Sequence, residues 1–353
     1  MRPSEFYQQR LDAVSRSFAL CIPQLEPPFR DHVALAYLLM RVLDTVEDAP
    51  FDDKVAQAAQ FERLRGFLRA QPSPAAVDVF AAAFPPGLTD SERALIGDTL
   101  ALLEDAHALP AGARAAVFGA VDRMAVGMAA YARRSPLLRL VDIEDVTRYC
   151  CFVAGLVGEM LGQLWSLDHA QPPPPTALAY HFGVFLQKVN ILKDQQEDEA
   201  VGRFLVPDRR ELLASVRRDA RGALAYLQAL PREARGYRIF CAWSLMMGVV
   251  TISVMESAGQ ASQPSQPSGP SQPRPSRRAD TAMLLARTAS IAQDNAALVR
   301  QFAELMPALP ELAPRAPVAK PESVEWFRSM LAAPLSDADL RGLGIGVRSA
   351  ARI

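Results

Sequence analysis

The stretch Leu38-Leu39-Met40-Arg41-Val42-Leu43-Asp44-Thr45-Val46-Glu47-Asp48 decides the fold. Its apolar residues recur at helical spacing. Val33, Tyr37, Met40 and Asp44 fall on one side of a helix expected over Asp31–Asp48, with Asp31 as its cap. Residues three and four apart share a helix face, so Asp44 and Asp48 point together, with Glu47 beside them and Arg41 one turn earlier. A second stretch, Asp194-Gln195-Gln196-Glu197-Asp198, repeats that spacing with Lys193 before it and Arg203 after it.

Working outward, helical patterns dominate and strand alternation is scarce. Helices are expected over Phe51–Leu68 and, opened by a capping box at Thr89 and Glu92, over Ala94–Leu109. Further helices are expected over Ala113–Arg134, from a cap at Asp142 through Tyr149 and Gly158 toward Trp165, and over Ala177–Glu199. A Gly202–Pro207 turn, Glu211–Leu230 and Glu233–Met255 follow. The reading is all-α: one domain over residues 1–305, a bundle around a deep central cavity. Residues 259–276 turn abruptly to Gln, Ser and Pro, the composition of a solvated disordered loop joining two helices. Residues 306–353 form a Pro/Ala-rich tail of unassigned role, with a short helix around Ser323–Met330.

The chain has 353 residues, with 38 basic against 39 acidic side chains and a net charge of −1. That balance, and arginines scattered without interleaved aromatics, argue against a nucleic-acid partner. Cys21, Cys150, Cys151 and Cys241 lie in apolar runs without a CxxC pair, which suits buried free thiols in a reducing compartment. The apolar run Ile239–Met255 is at the short limit for a membrane span and contains Trp243, Ser244 and Gly248, so a buried helix is expected. The expectation is a cytoplasmic protein with no transmembrane anchor; peripheral contact with the inner membrane face stays open. The sequence does not specify an oligomeric state.

Carboxylates at i and i+4 on an exposed helix are common and cost only a few tenths of a kcal/mol in repulsion. Here both clusters follow apolar runs, so their helices bury much of their surface. Two such clusters suggest opposite walls of one pocket, with facing charges compensated by a hard divalent cation. Mg²⁺ bridges carboxylate and phosphate oxygens, which points to a diphosphate substrate, with Arg41, Lys193 and Arg203 as basic partners. Gly155, Gly158 and Gly162 stand in a helix, where each costs about 1 kcal/mol relative to Ala, so they require a packing reason or leave room for a ligand. Phe152, Phe185, Phe240 and Trp243 are core residues or the lining of an apolar channel.

Ser15-Arg16-Ser17-Phe18, Leu43 through Asp48, Tyr149 through Gly158, Phe185 through Ile191 and Asp194 through Pro207 resemble the squalene/phytoene synthase family, the squalene synthases among its members most. The resemblance runs from about Ser4 to Leu305. It implies an isoprenoid synthase bundle that joins two farnesyl diphosphates head to head through presqualene diphosphate, then reduces the product with NADPH to squalene. It further implies that Asp44, Asp48, Asp194 and Asp198, with Glu47 and Glu197, hold Mg²⁺. By the same token Tyr149 manages the proton of cyclopropane formation and Phe240 guards the second cation. Ser15, Ser17, Phe18, Tyr37, Arg41, Gln187, Asn190, Lys193 and Arg203 bind substrate, and Arg277 and Arg278 serve the nicotinamide cofactor. Lys193 stands where the family usually has arginine, and the 259–276 insert falls where squalene synthases carry basic residues. Alternatives are a synthase that stops before reduction, giving presqualene diphosphate, dehydrosqualene or hydroxysqualene, a phytoene synthase, or a noncatalytic scaffold of the same fold.

Overall fold

The computed structural model describes residues 1–134, 137–261, 277–306 and 324–332. The chain begins with α1 (Ser4–Val14), α2 (Phe18–Cys21), α3 (Phe29–Asp48), α4 (Lys54–Arg69) and α5 (Pro74–Ala82). Next come α6 (Asp90–Gly97), α7 (Thr99–His107), α8 (Ala111–Ala132) and α9 (Ile143–Cys150). A π-helical turn over Cys151–Gly155 leads into α10 (Leu156–His169). Then follow α11 (Thr176–Lys193), α12 (Gln195–Ala200), α13 (Arg209–Ala229), α14 (Arg235–Ala261), α15 (Arg277–Ile291), α16 (Asn295–Leu305) and α17 (Val324–Ala332). The expected all-α bundle is what forms. Its one sheet among the described residues is a two-residue parallel pair, β1 (Leu138–Arg139) beside β2 (Arg203–Phe204).

Most expected helices form within a few residues of their sequence bounds, and the capping box at Thr89 and Glu92 is complete. The differences have local causes. Asp31 lies in the first turn of α3, after Pro28 at the cap, and accepts hydrogen bonds from Ser4 and Arg30. The helix expected over Ala94–Leu109 is broken at Asp98. Gly97 and Asp98 are weak helix formers, and Arg10 of α1 holds the Asp98 carboxylate at 2.8 Å. The helix expected over Ala177–Glu199 stops at Lys193, because Asp194 takes φ −97°, ψ 13° between α11 and α12. The Gly202–Pro207 turn contains β2. α14 runs to Ala261, into the segment read as loop; residues 262–276, 307–323 and 333–353 lie outside the described residues. α1 and α5 are short and bury only two side chains each, Tyr7 with Leu11 and Val77 with Phe80, so neither presents a buried stripe for periodicity to reveal.

α10 and α11 meet at backbone distance. A Cβ on Gly158 would stand 2.1 Å from the carbonyl oxygen of Ala179, and one on Gly183 would stand 2.1 Å from that of Ala154. Gly162 has only ordinary contacts. α11 is also pinned to α13 by a buried ion pair. Lys188 Nζ donates to Asp219 at 2.7 Å and to Ser215 Oγ at 2.6 Å, and His181 Nδ1 sits 2.9 Å from the other Asp219 oxygen. On the outer side, Phe327 of α17 stacks on Tyr180 at 5.0 Å, and the Tyr180 hydroxyl donates to Glu159.

All four cysteines are buried. α8, the span Ile143–His169 and Arg235–Glu256 are long and apolar enough to cross a bilayer. Yet 56 to 67% of their apolar windows is buried inside the fold, so their hydrophobicity is spent on packing. Phe152 and Phe185 belong to that packing and not to a channel: they press on Gly127 and Gly248 respectively. Trp243 donates its indole N–H to Leu285 O.

Gly158→Ala forces the α10–α11 contact apart and is expected to destabilise by about 1–3 kcal/mol in urea unfolding, the cost of overpacking a tight core. Gly162→Ala at the same helix is expected to be neutral or slightly stabilising, since its position is open and alanine favours the helix.

Candidate active site

A cavity of about 600 Å³ runs through the bundle. Three helical segments form its long walls, and two of them carry the acid clusters. α3 contributes Val33, Tyr37, Met40, Arg41, Asp44, Glu47 and Asp48. Tyr149, the π-turn and α10 contribute an apolar strip ending at Leu161. α11 and its continuation contribute Phe182, Leu186, Gln187, Asn190, Lys193, Asp194 and Asp198. Ser15, Arg16, Ser17 and Phe18 close the α1–α2 side, and Phe240 enters from α14. Thus one end is a ring of carboxylates and the rest is greasy.

The backbone explains how the charged end is held. Gln57, buried on α4, donates its amide to the carbonyls of Val46 and Glu47 at 2.9 Å each, satisfying the last turn of α3. β2 hydrogen-bonds to β1, which fixes Arg203 across the gap from α3. Gly202 precedes it at φ +81°, a conformation that favours glycine. β1 is itself anchored by Arg134, whose Nη2 lies 2.7 Å from buried Asp145.

Arg203 joins the two acid clusters. One Nη donates to Asp48 and the other to the Tyr149 hydroxyl at 3.1 Å, while Nε lies 3.5 Å from Asp198. The Tyr149 hydroxyl in turn donates to Glu47 Oε1 at 3.1 Å. Glu47 is therefore turned toward the phenol. Arg41 reaches Asp44 at 3.4 Å and Glu92 at 3.7 Å, and Lys193 reaches Asp194 at 3.2 Å. Ser15 Oγ accepts from the backbone N–H of Phe18, whose ring packs against Tyr37 at 5.3 Å and Phe240 at 6.1 Å.

Of the residues singled out from the sequence, Glu197 is exposed and outside the cavity lining. Arg277 and Arg278 open α15, and their side chains lie outside the described residues. Every other residue to which the resemblance assigns a role lines the cavity. Gln57 and Phe182 carried no sequence signal of their own: one is a glutamine on a surface-like helix, the other an ordinary apolar position. Arg16, exposed at the mouth, adds a cation that the serines beside it overshadowed.

The electrostatics show what is missing. Burial, then the neighbouring Asp48, lift Asp44 to about 6 against the opposing pull of Arg41. Burial and the adjacent aspartates lift Glu47 to about 7. Asp198 is raised by burial too, with Arg203 opposing. Burial alone would lower Arg203, but the phenol and carboxylates around it win and hold it above its usual value. Tyr149 is pushed well up by burial and by Glu47, so it stays a phenol at neutral pH. The all-oxygen donors facing one another suit Mg²⁺. Among the described residues no three of them converge as a ready cage.

A carboxyl raised in the fold keeps a proton that the unfolded chain has already lost. Its contribution to stability is therefore complete below about pH 4 and declines as pH rises through the folded values. Asp44→Asn removes the charged form, so its Tm relative to wild type is expected to climb between about pH 4 and 7 in metal-free buffer and then level off. A thermal melt series checks this, and a difference that does not vary with pH would contradict the assignment.

A family model for squalene/phytoene synthase matches residues 11–210. The squalene synthase of Schizosaccharomyces pombe is 29% identical over 282 residues, covering 70% of this chain and 58% of that protein. The squalene synthase of Eremothecium gossypii is 34% identical over 206 residues, covering 56% and 45%. The chain therefore spans about half the length of these curated relatives. Among solved structures, TcSQS in complex with a ligand matches at a TM-score of 0.68 and 21% identity, over 97% of this chain and 99% of that one. A dehydrosqualene synthase in complex with a ligand matches at 0.53 and 16%, over 81% and 95%. These structures agree on the isoprenoid synthase fold. The segment matched by the family model contains both acid clusters, Tyr149 and Arg203, and the chain belongs to the squalene/phytoene synthase family.

Proposed function

We propose that the protein is a Mg²⁺-dependent synthase that condenses two farnesyl diphosphates head to head to presqualene diphosphate and reduces it with NADPH to squalene. The observation that carries this reading is the meeting of Asp44 and Asp48 with Asp194 and Asp198, about 150 residues away in the chain, at one end of an apolar cavity. A diphosphate fits the charged end and a prenyl chain fits the rest.

Asp44, Asp48, Asp194 and Asp198 would hold the Mg²⁺ ions, which supply positive charge to the departing diphosphate. Arg41, Lys193 and Arg203 orient the same group and share its charge as the donor C1–O bond breaks and the electron pair leaves with oxygen. The apolar walls exclude water from the allylic cation, so the second molecule's double bond is the nucleophile that reaches it. Ring closure then releases a proton. Tyr149 accepts it while passing its own hydroxyl proton to Glu47, the group it already donates to. The phenol thus acts as a base without ever standing as a free phenolate, which its burial disfavours. The reductive half rests on the family resemblance; NADPH would supply hydride, and Phe240 would face the second cation.

Incubation with farnesyl diphosphate and Mg²⁺ followed by mass analysis tests this. Presqualene diphosphate is expected without NADPH and squalene with it, whereas the absence of any C30 product would overturn the reading. A dehydrosqualene or hydroxysqualene product in the presence of NADPH would retain the condensation and remove the reduction. Asp44→Asn and Asp198→Asn are each expected to slow ionisation on the order of 100-fold while the far-UV spectrum is unchanged. Tyr149→Phe is expected to slow presqualene diphosphate formation by about 100-fold or more, measured in a single turnover.

A further inference from the structure

The three cavity walls end together. Measured along α11, Phe182 lies twelve residues before Asp194, about 18 Å at the helical rise. Leu161 marks the same level on α10 and Val33 on α3, and all three are buried. Beyond Phe182 the space is closed by aromatic rings that do not line the cavity. Tyr226 packs on Phe182 at 5.8 Å between ring centroids. The Tyr226 and Tyr237 hydroxyls lie 2.6 Å apart in a buried hydrogen bond, which fixes both rings. Tyr237 is wedged in turn by Trp165 at 6.4 Å and Phe29 at 5.1 Å. A ring held from behind in this way cannot swing aside for a longer ligand.

We propose that Phe182, backed by the hydrogen-bonded Tyr226–Tyr237 pair, is the floor of the prenyl channel and sets the chain length that the enzyme accepts. The inference deepens the condensation reading and rests on it for the identity of the ligand as a prenyl diphosphate. The floor selects by exclusion. A chain of three isoprene units ends at the ring with its diphosphate among the carboxylates, and a fourth unit meets Phe182 before the diphosphate can seat. Shortening the ring opens space toward Tyr226 and relieves that collision without touching any group that holds diphosphate.

The test uses the unreactive thiolodiphosphates of farnesol and geranylgeraniol, titrated calorimetrically into the full chain with Mg²⁺, so that chain-length preference is read apart from turnover. Wild type is expected to favour the farnesyl analogue. Phe182→Ala is expected to shift the ratio of the two affinities at least about tenfold toward geranylgeranyl, the scale of discrimination available to an apolar pocket. Phe182→Leu is expected to shift it in the same direction by less, and its smaller cavity keeps the protein folded if the alanine variant fails. Phe182→Trp is expected to weaken the farnesyl analogue while sparing the geranyl one. A ratio unchanged within about twofold in a folded variant overturns the floor. Shifted binding without any product from farnesyl diphosphate would retain the floor and overturn the condensation reading. Loss of both analogues from wild type would overturn the two together.

Discussion

Arg203 is the constraint on which the rest depends. It bridges carboxylates from two remote parts of the chain at the mouth of an apolar cavity, where their repulsion is only weakly screened. One guanidinium cannot neutralise this set. Asp44, Glu47 and Asp198 all resist ionisation more than free carboxyls do, first because burial strips them of water and then because they crowd one another. The protein thus stores a demand for positive charge at that end of the cavity.

The fold serves that charged end by dividing labour. α3 brings one cluster, and Gln57 secures its last carbonyls. The β1–β2 pair holds Arg203 on the opposite side, so a two-residue sheet matters out of proportion to its size. Tyr149 sits where the ordinary helix gives way to a π-turn, a local irregularity that is frequent at functional sites. The apolar remainder of the cavity uses shape and water exclusion in place of polar recognition. This suits a hydrocarbon chain that offers no hydrogen bonds.

Much of this was legible in the sequence, because the informative signals are local. The acid spacing within Asp44–Asp48 needs only a helical period, and the capping box at Thr89 needs only four residues. What escaped depends on contacts between distant segments. Nothing near Glu47 announces that it faces Tyr149 and not the mouth. Gln57 reads as one more polar helix residue until α3 ends beside it. The aromatic residues Phe152 and Phe185 looked as eligible for the cavity as Phe240, because periodicity gives a helix its buried face without saying which buried neighbour that face meets. The break at Asp194 was hidden for a related reason. Gln195, Gln196 and Glu197 are all acceptable helix formers, so only the backbone reveals the change of direction.

The backbone contact of α10 with α11 has a mechanical corollary. With Gly158 against Ala179 and Gly183 against Ala154, and with Lys188 riveting α11 to α13, those walls form a stiff chassis. Any change in the cavity's volume therefore falls more easily to the opposite side, where the short α2 and the serine-bearing junction before it border the space. Give in the vessel is thereby concentrated on that side, while the backbone that carries Asn190 and Lys193 is held from two directions.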